Sequence, residues 1–120
     1  MTRRELIDFC LTLPNAYEDY PFDKTIDDNA TAVMRHRTSK TSFALIMRHK
    51  GALYLNLRFE PTEADFWRQV YEGVIPGYHM NKTYWNTIII GSDVPESAMQ
   101  MMIERSYELT KPKHPKGNGR

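Results

Sequence analysis

SFALIMRHKGALYLNLRF, residues 42–59, runs large apolar residues against small, polar or basic ones on both sides of a Lys50-Gly51 pair. Successive strand residues face opposite ways, so this alternation marks two half-buried strands. A two-residue link containing glycine joins them as a tight hairpin. The strands run over Ser42–His49 and Ala52–Phe59. Phe43, Leu45 and Met47 are expected on one side of the first strand, and Leu53, Leu55, Leu57 and Phe59 together in the second. Tyr54, Asn56 and Arg58 then share the other side, as Ile46 and Arg48 do in the first strand. One face is apolar; the other is basic with a tyrosine.

Working upstream, Ala32–Arg37 is a further strand joined through Thr38-Ser39-Lys40, which gives a three-strand antiparallel meander. Residues 16–29 are acidic and punctuated by Pro21, Asp27-Asp28 and Asn29, and read as a loop. Before that loop, Thr2 and Glu5 have capping-box spacing, and Leu6, Phe9, Cys10 and Leu13 form the apolar stripe of a helix that Pro14 ends. Downstream, Pro61 suits the first turn of a second helix, with Ala64, Trp67, Val70, Tyr71 and Val74 on its buried side. Ile75-Pro76-Gly77-Tyr78 reads as a type II turn, and Trp85–Ile90 as a strand partnered by Tyr78–Met80. A last helix starts near Asp93 or Pro95, where Asp93 and Glu96 repeat the capping-box spacing, and ends about Thr110. Lys111–Arg120 holds two prolines, two glycines and no large apolar residue, so it is expected to be a disordered basic tail. The fold class is α+β, a single domain over residues 1–110: helix, three-strand antiparallel sheet, helix, two strands, helix.

The formal net charge of +1 over 120 residues excludes a globally basic nucleic-acid binder, but it conceals segregation. Residues 17–28 carry −4, residues 35–59 carry +6 with no acid, and residues 111–120 carry +4. The only cysteine, Cys10, allows no internal disulfide and favours a reducing compartment. No apolar run is long enough for a membrane span, and the charged opening is unlike a signal peptide. A cytoplasmic location and no membrane partner are therefore expected.

Catalytic and metal chemistry find little to work with. His36, His49, His79 and His114 lack the i,i+4 spacing of a helical metal pair, and no phosphate loop or nucleophile elbow occurs. No catalytic residue, metal or cofactor is assigned. The densest stretch is residues 76–87, PGYHMNKTYWNT, with three aromatics, a histidine, a lysine and two asparagines. Its polar groups suit phosphate, and its rings suit stacking on bases. The same residues equally suit a twisted hairpin whose rings pack and whose asparagines hold turns.

Leu55-Asn56-Leu57-Arg58, Pro61-Thr62-Glu63, Arg68, Tyr71, the PGYHMNK stretch from Pro76, Trp85-Asn86-Thr87, Val94-Pro95 and Ser106-Tyr107 follow one another in an order that resembles the MmcQ/YjbR family. The resemblance runs from the first helix to Thr110 and leaves out the basic tail. It implies the same α+β element order, and a DNA-binding role by likeness to a double-wing motif in which a concave sheet surface meets the duplex. It also implies likeness to secretion-chaperone-like domains, which bind peptides, so a protein-interaction module of the same fold stays open, as does a small-molecule site. The motif positions carried over are Asn56, Arg58, Tyr78, His79, Met80, Asn81, Lys82, Trp85 and Asn86.

The expectation is thus a non-enzymatic, monomeric DNA-binding domain. Arg35, Arg37, Arg48, Lys50, Arg58 and Lys82 would contact phosphate, while Asn56, Tyr78, His79, Asn81 and Asn86 would complete the surface. Six neutralised phosphates imply a log K against log salt slope of roughly −5.

Overall fold

Thr2 and Glu5 close a reciprocal capping box, each side chain receiving the other's backbone N–H, and this starts helix α1, Arg3–Leu11. A computed structural model describes residues 1–113. Helix α1 is followed by strands β1 (Ala16–Asp19), β2 (Ala32–His36), β3 (Ser42–His49) and β4 (Ala52–Arg58). Helix α2 (Pro61–Val70), strands β5 (Val74–Pro76) and β6 (Trp85–Ile89), and helix α3 (Glu96–Thr110) complete the fold.

The α+β class and three helices agree with the sequence reading, but the sheet does not stop at three strands. All six strands form one antiparallel sheet in the order β1-β2-β3-β4-β6-β5. The acidic segment read as loop contains the edge strand β1, whose charged residues suit an edge because they discourage pairing with another chain. The segment read as a type II turn is instead split. Val74–Pro76 is the opposite edge strand, where proline's missing N–H costs no ladder bond, and Tyr78–Met80 forms the turn. Asp93 does not cap α3. Its carboxylate accepts the Glu72 and Gly73 amides at 2.8 and 2.7 Å, bonds that hold its pKa below the usual carboxylate value. Val70, expected inside, is 45% exposed, and of α2 only Ala64 is fully buried.

The Lys50-Gly51 link takes positive φ at both residues, 51° and 83°, as a type I′ hairpin turn requires. The β3–β4 register sets Ala44 opposite Leu57, Ile46 opposite Leu55 and Arg48 opposite Leu53. Ala44 and Ile46 therefore face the core, and Leu45 and Met47 face away with Asn56 and Tyr54. This reverses the expected faces of β3. A bulge explains the error: between Met34 opposite Ala44 and Arg35 opposite Ser42, β3 has one extra residue, Phe43. An inserted residue breaks the period of two, so Phe43 and Ala44 are both buried.

Every strand residue in the hydrophobic core except bulged Phe43 lies on one side of the sheet by register, from Ala32 and Met34 to Leu53, Leu55, Leu57, Val74 and Ile88. Leu6, Ile7 and Cys10 of α1, Ala64 of α2 and Met99, Met102 and Ile103 of α3 join them there. All three helices thus pack on the same face, and among the described residues the opposite face of the sheet carries no helix. Full burial of side chains such as Leu55 and Ile88 is worth about 1.5–3 kcal/mol each, which fixes this two-layer arrangement.

His36 joins β2 to the last turn of α3. Its ring packs against Phe43 and Tyr107, at centroid separations of 5.2 and 4.7 Å. His36 Nε2 lies 2.9 Å from Thr110 Oγ1, a hydroxyl that is also 2.7 Å from the Ser106 carbonyl. Burial, with Lys111 nearby, pushes the His36 pKa below its ordinary value. The unfolded chain therefore binds this proton more readily than the folded one. Stability is complete above about pH 6.5, where His36 is neutral in both states, and falls as pH drops below that. Urea unfolding between pH 7 and 5 should show the decline, and His36→Phe should flatten it; equal declines in both proteins would refute the assignment.

Candidate functional site

The helix-free face is arranged in rows across the strands. One row runs Tyr17, Arg35, Ser42 by register, and continues through Arg58 opposite Trp85. The next row holds Asp19, Val33, Leu45, Asn56, Thr87 and Ile75, and a third holds Met47, Tyr54 and Ile89. Basic groups concentrate in the first row and rings in the third.

In the basic row Arg35 gives Nε to Asp19 at 2.8 Å and Nη1 to the Lys40 carbonyl at 3.0 Å. The Arg37 guanidinium lies 5.3 Å from the centre of the Tyr17 ring, and that of Arg58 4.8 Å from Tyr84. Such pairs hold arginines flat against rings while keeping their charge. In the third row Tyr78 comes down from the β5–β6 connection onto Tyr54 and His49, with centroids 5.7 and 4.4 Å away. His79, exposed and at φ +60°, packs tilted against Tyr78 with ring centroids 4.0 Å apart. Lys50 is exposed in the hairpin turn at the same end of β3.

The other expected site residues serve different ends. Arg48 belongs by register to the core side of β3, and its Nε donates to the Asp28 carbonyl at 3.2 Å, so it does not join the basic row. Lys82 is exposed, but its Nζ donates to the Gly77 carbonyl at 2.8 Å and ties the connection closed. Asn81 accepts the Thr83 amide on its side chain at 2.9 Å, an Asx turn. Asn56 and Asn86 are fully buried and cannot reach a ligand on this surface. Asn56 accepts from the Thr87 hydroxyl, which itself accepts the Tyr78 amide at 2.8 Å, so the pair fixes Tyr78 over the sheet. Asn86 gives its amide N–H to the Ala64 carbonyl at 2.9 Å and accepts Arg68 Nε at 2.6 Å.

Arg68, quoted in the motif but not counted as a site residue, is the hub of that arrangement. Its guanidinium also reaches the Lys82 and Trp85 carbonyls. One α2 side chain thereby anchors the connection that carries Tyr78 and His79. Gly77 completes it, because a Cβ there would lie 2.8 Å from Trp85 Cβ and 2.9 Å from the Trp85 carbonyl. The motif is thus mainly a scaffold. No local spacing signals Arg68, since its partners lie 14–18 residues away.

Among the described residues, no three His, Cys, Asp or Glu side chains gather as metal ligands would, and no helix is long and apolar enough to cross a membrane. The expected disordered tail falls largely on residues 114–120, outside the described residues.

The YjbR family model matches residues 11–109. The uncharacterized protein YyaQ of Bacillus subtilis is 31% identical, spanning 92% of this chain and 99% of its own. The uncharacterized protein YjbR of Escherichia coli is 26% identical over 90% of this chain and 86% of its own. Among solved structures, a Pseudomonas syringae protein superposes with a TM-score of 0.79 at 26% identity, covering 92% of this chain and 100% of that one. A Deinococcus radiodurans protein gives 0.80 at 29% identity, covering 97% and 83%.

Proposed function

The chain belongs to the YjbR family, and on that premise we propose that it binds DNA through the helix-free face of its sheet. The observation that supports this reading is the row in which Arg35, ion-paired to Asp19, lies with Arg37 and Arg58 beside Tyr17 and Tyr84 on the face opposite the helices. Arginines supply phosphate contacts, and the neighbouring rings supply stacking surface. Tyr54, Tyr78 and His79 extend that surface toward the β3–β4 hairpin.

The footprint is smaller than six cations, because Arg48 and Lys82 are engaged elsewhere and Lys50 sits in the β3–β4 turn at the opposite end of β3 from the arginine row. Three arginines on the face give a log K against log salt slope of about −3 rather than −5. Fluorescence anisotropy of a labelled duplex across 20–200 mM salt reads this directly. A slope near −3 supports the three-arginine footprint. A slope steeper than about −5, or no binding at 100 μM protein in low salt, contradicts it.

A further inference from the structure

The helix-free face is basic only on one side. Between the arginine row and the rings lies a strip of half-buried apolar side chains, Leu45, Met47, Ile75 and Ile89, which share the face by register. Arg58 and Tyr54 bound this strip on β4, four residues apart and so about 13 Å along the strand. A duplex turns its phosphates outward and keeps its bases stacked inside, so it offers the strip and the rings no flat partner. A single strand offers both chemistries at once, phosphates for the arginines and uncovered base faces for apolar and aromatic side chains.

Tyr78 is the centre of the ring cluster. His49 packs tilted against it with centroids 4.4 Å apart, Tyr54 meets it perpendicularly at 5.7 Å, and His79 lies tilted at 4.0 Å. Three of these rings are half-buried, and His79 is exposed. The backbone of His79 is held at φ +60°, a left-handed conformation that glycine adopts more easily than any residue with a β-carbon. Its turn is fixed on both sides. The Tyr78 amide donates to Thr87 Oγ1 at 2.8 Å, and Lys82 Nζ and the Met80 amide donate to the Gly77 carbonyl at 2.8 and 3.3 Å. An exposed ring fixed in advance loses little freedom when a ligand settles on it.

Resting on the reading of this face as a DNA site, we propose that its preferred ligand is single-stranded DNA, with Tyr78 and His79 as the platform for an unpaired base. Arg37 and Arg58 take phosphates across the apolar strip. The distance from Arg58 to Tyr54 matches about four nucleotides at about 3.4 Å each. His79 thereby sets the choice between unpaired and paired DNA, while the arginines set the salt dependence.

The test compares a labelled single strand of about 12 nucleotides with the same sequence as a duplex, by anisotropy on the full chain at low salt. The single strand should bind at least tenfold more tightly. His79→Ala should weaken single-strand binding about tenfold and duplex binding less than twofold, with the salt slope unchanged because stacking releases no counterions. His79→Phe, which keeps a ring without the imidazole nitrogens, should stay within about threefold of the parent on the single strand. His79 is exposed, so both variants keep the fold, which melting curves check. Equal affinity for the two forms, or equal losses on both in His79→Ala, would overturn the single-strand preference and leave the arginine row as a DNA site. No binding of either form at ~100 μM protein would instead overturn the reading on which the preference rests.

Discussion

Arg68→Met should destabilise the protein by about 3 kcal/mol, enough to lower its melting temperature by roughly 10 °C. Asn86 is fully buried, and its side-chain carbonyl has the Arg68 Nε–H as its partner at 2.6 Å. Removing the guanidinium strands that oxygen, at about 1–3 kcal/mol for an unpaired buried acceptor, and breaks charge-assisted bonds to the Lys82 and Trp85 carbonyls. Methionine keeps most of the apolar stem, so lost packing does not account for the change. Arg68→Lys should recover little, because one ammonium cannot reproduce a planar fork that serves three acceptors. Urea titration checks both variants. A cost below 1 kcal/mol for Arg68→Met would mean that the connection carrying Tyr78 is held by other bonds.

Where the fold was legible in the sequence, the signal was short. The Thr2–Glu5 box, Pro61 at the start of α2 and the Lys50-Gly51 turn each act within about four residues, and each took the form expected. Where the reading failed, the deciding interaction came from elsewhere in the chain. Strand β1 is acidic and pairs only because β2 offers an edge, so its composition suggested a loop. The faces of β3 turned on one bulged residue, Phe43, opposite β2, and that insertion moved Arg48 off the basic surface. Asp93 has capping-box spacing toward Glu96, yet it is taken by the Glu72 and Gly73 amides some twenty residues earlier.

The motif stretch shows the same division. Residue types identified 76–87 as dense in donors and rings, and Tyr78 and His79 do lie exposed or half-exposed over the sheet. Composition could not separate them from Asn86 and Lys82, whose tasks depend on Ala64, Arg68 and Gly77. Charge segregation fared better. Of the six basic residues in 35–59, three, Arg35, Arg37 and Arg58, gather in one row, while residues 1–110 together carry −3.

Removing two arginines from that row should weaken duplex binding at least tenfold at low salt and make the salt slope shallower by about 2, whatever the DNA sequence. Arg35→Ala with Arg58→Ala is the variant; the control is Arg4→Ala with Arg105→Ala, which changes net charge equally on the helix layer. Arg4 sits in an exposed ion pair with Asp8, and Glu63 keeps the Trp67 indole N–H as a partner when Arg105 is removed, so both variants should stay folded. The account predicts less than a twofold change for that control. Anisotropy titration of the two doubles side by side, with melting temperatures confirming that both are folded, is the decisive measurement. A tenfold loss confined to Arg35 and Arg58 is the result expected, and equal losses in the two doubles would contradict binding through the helix-free face.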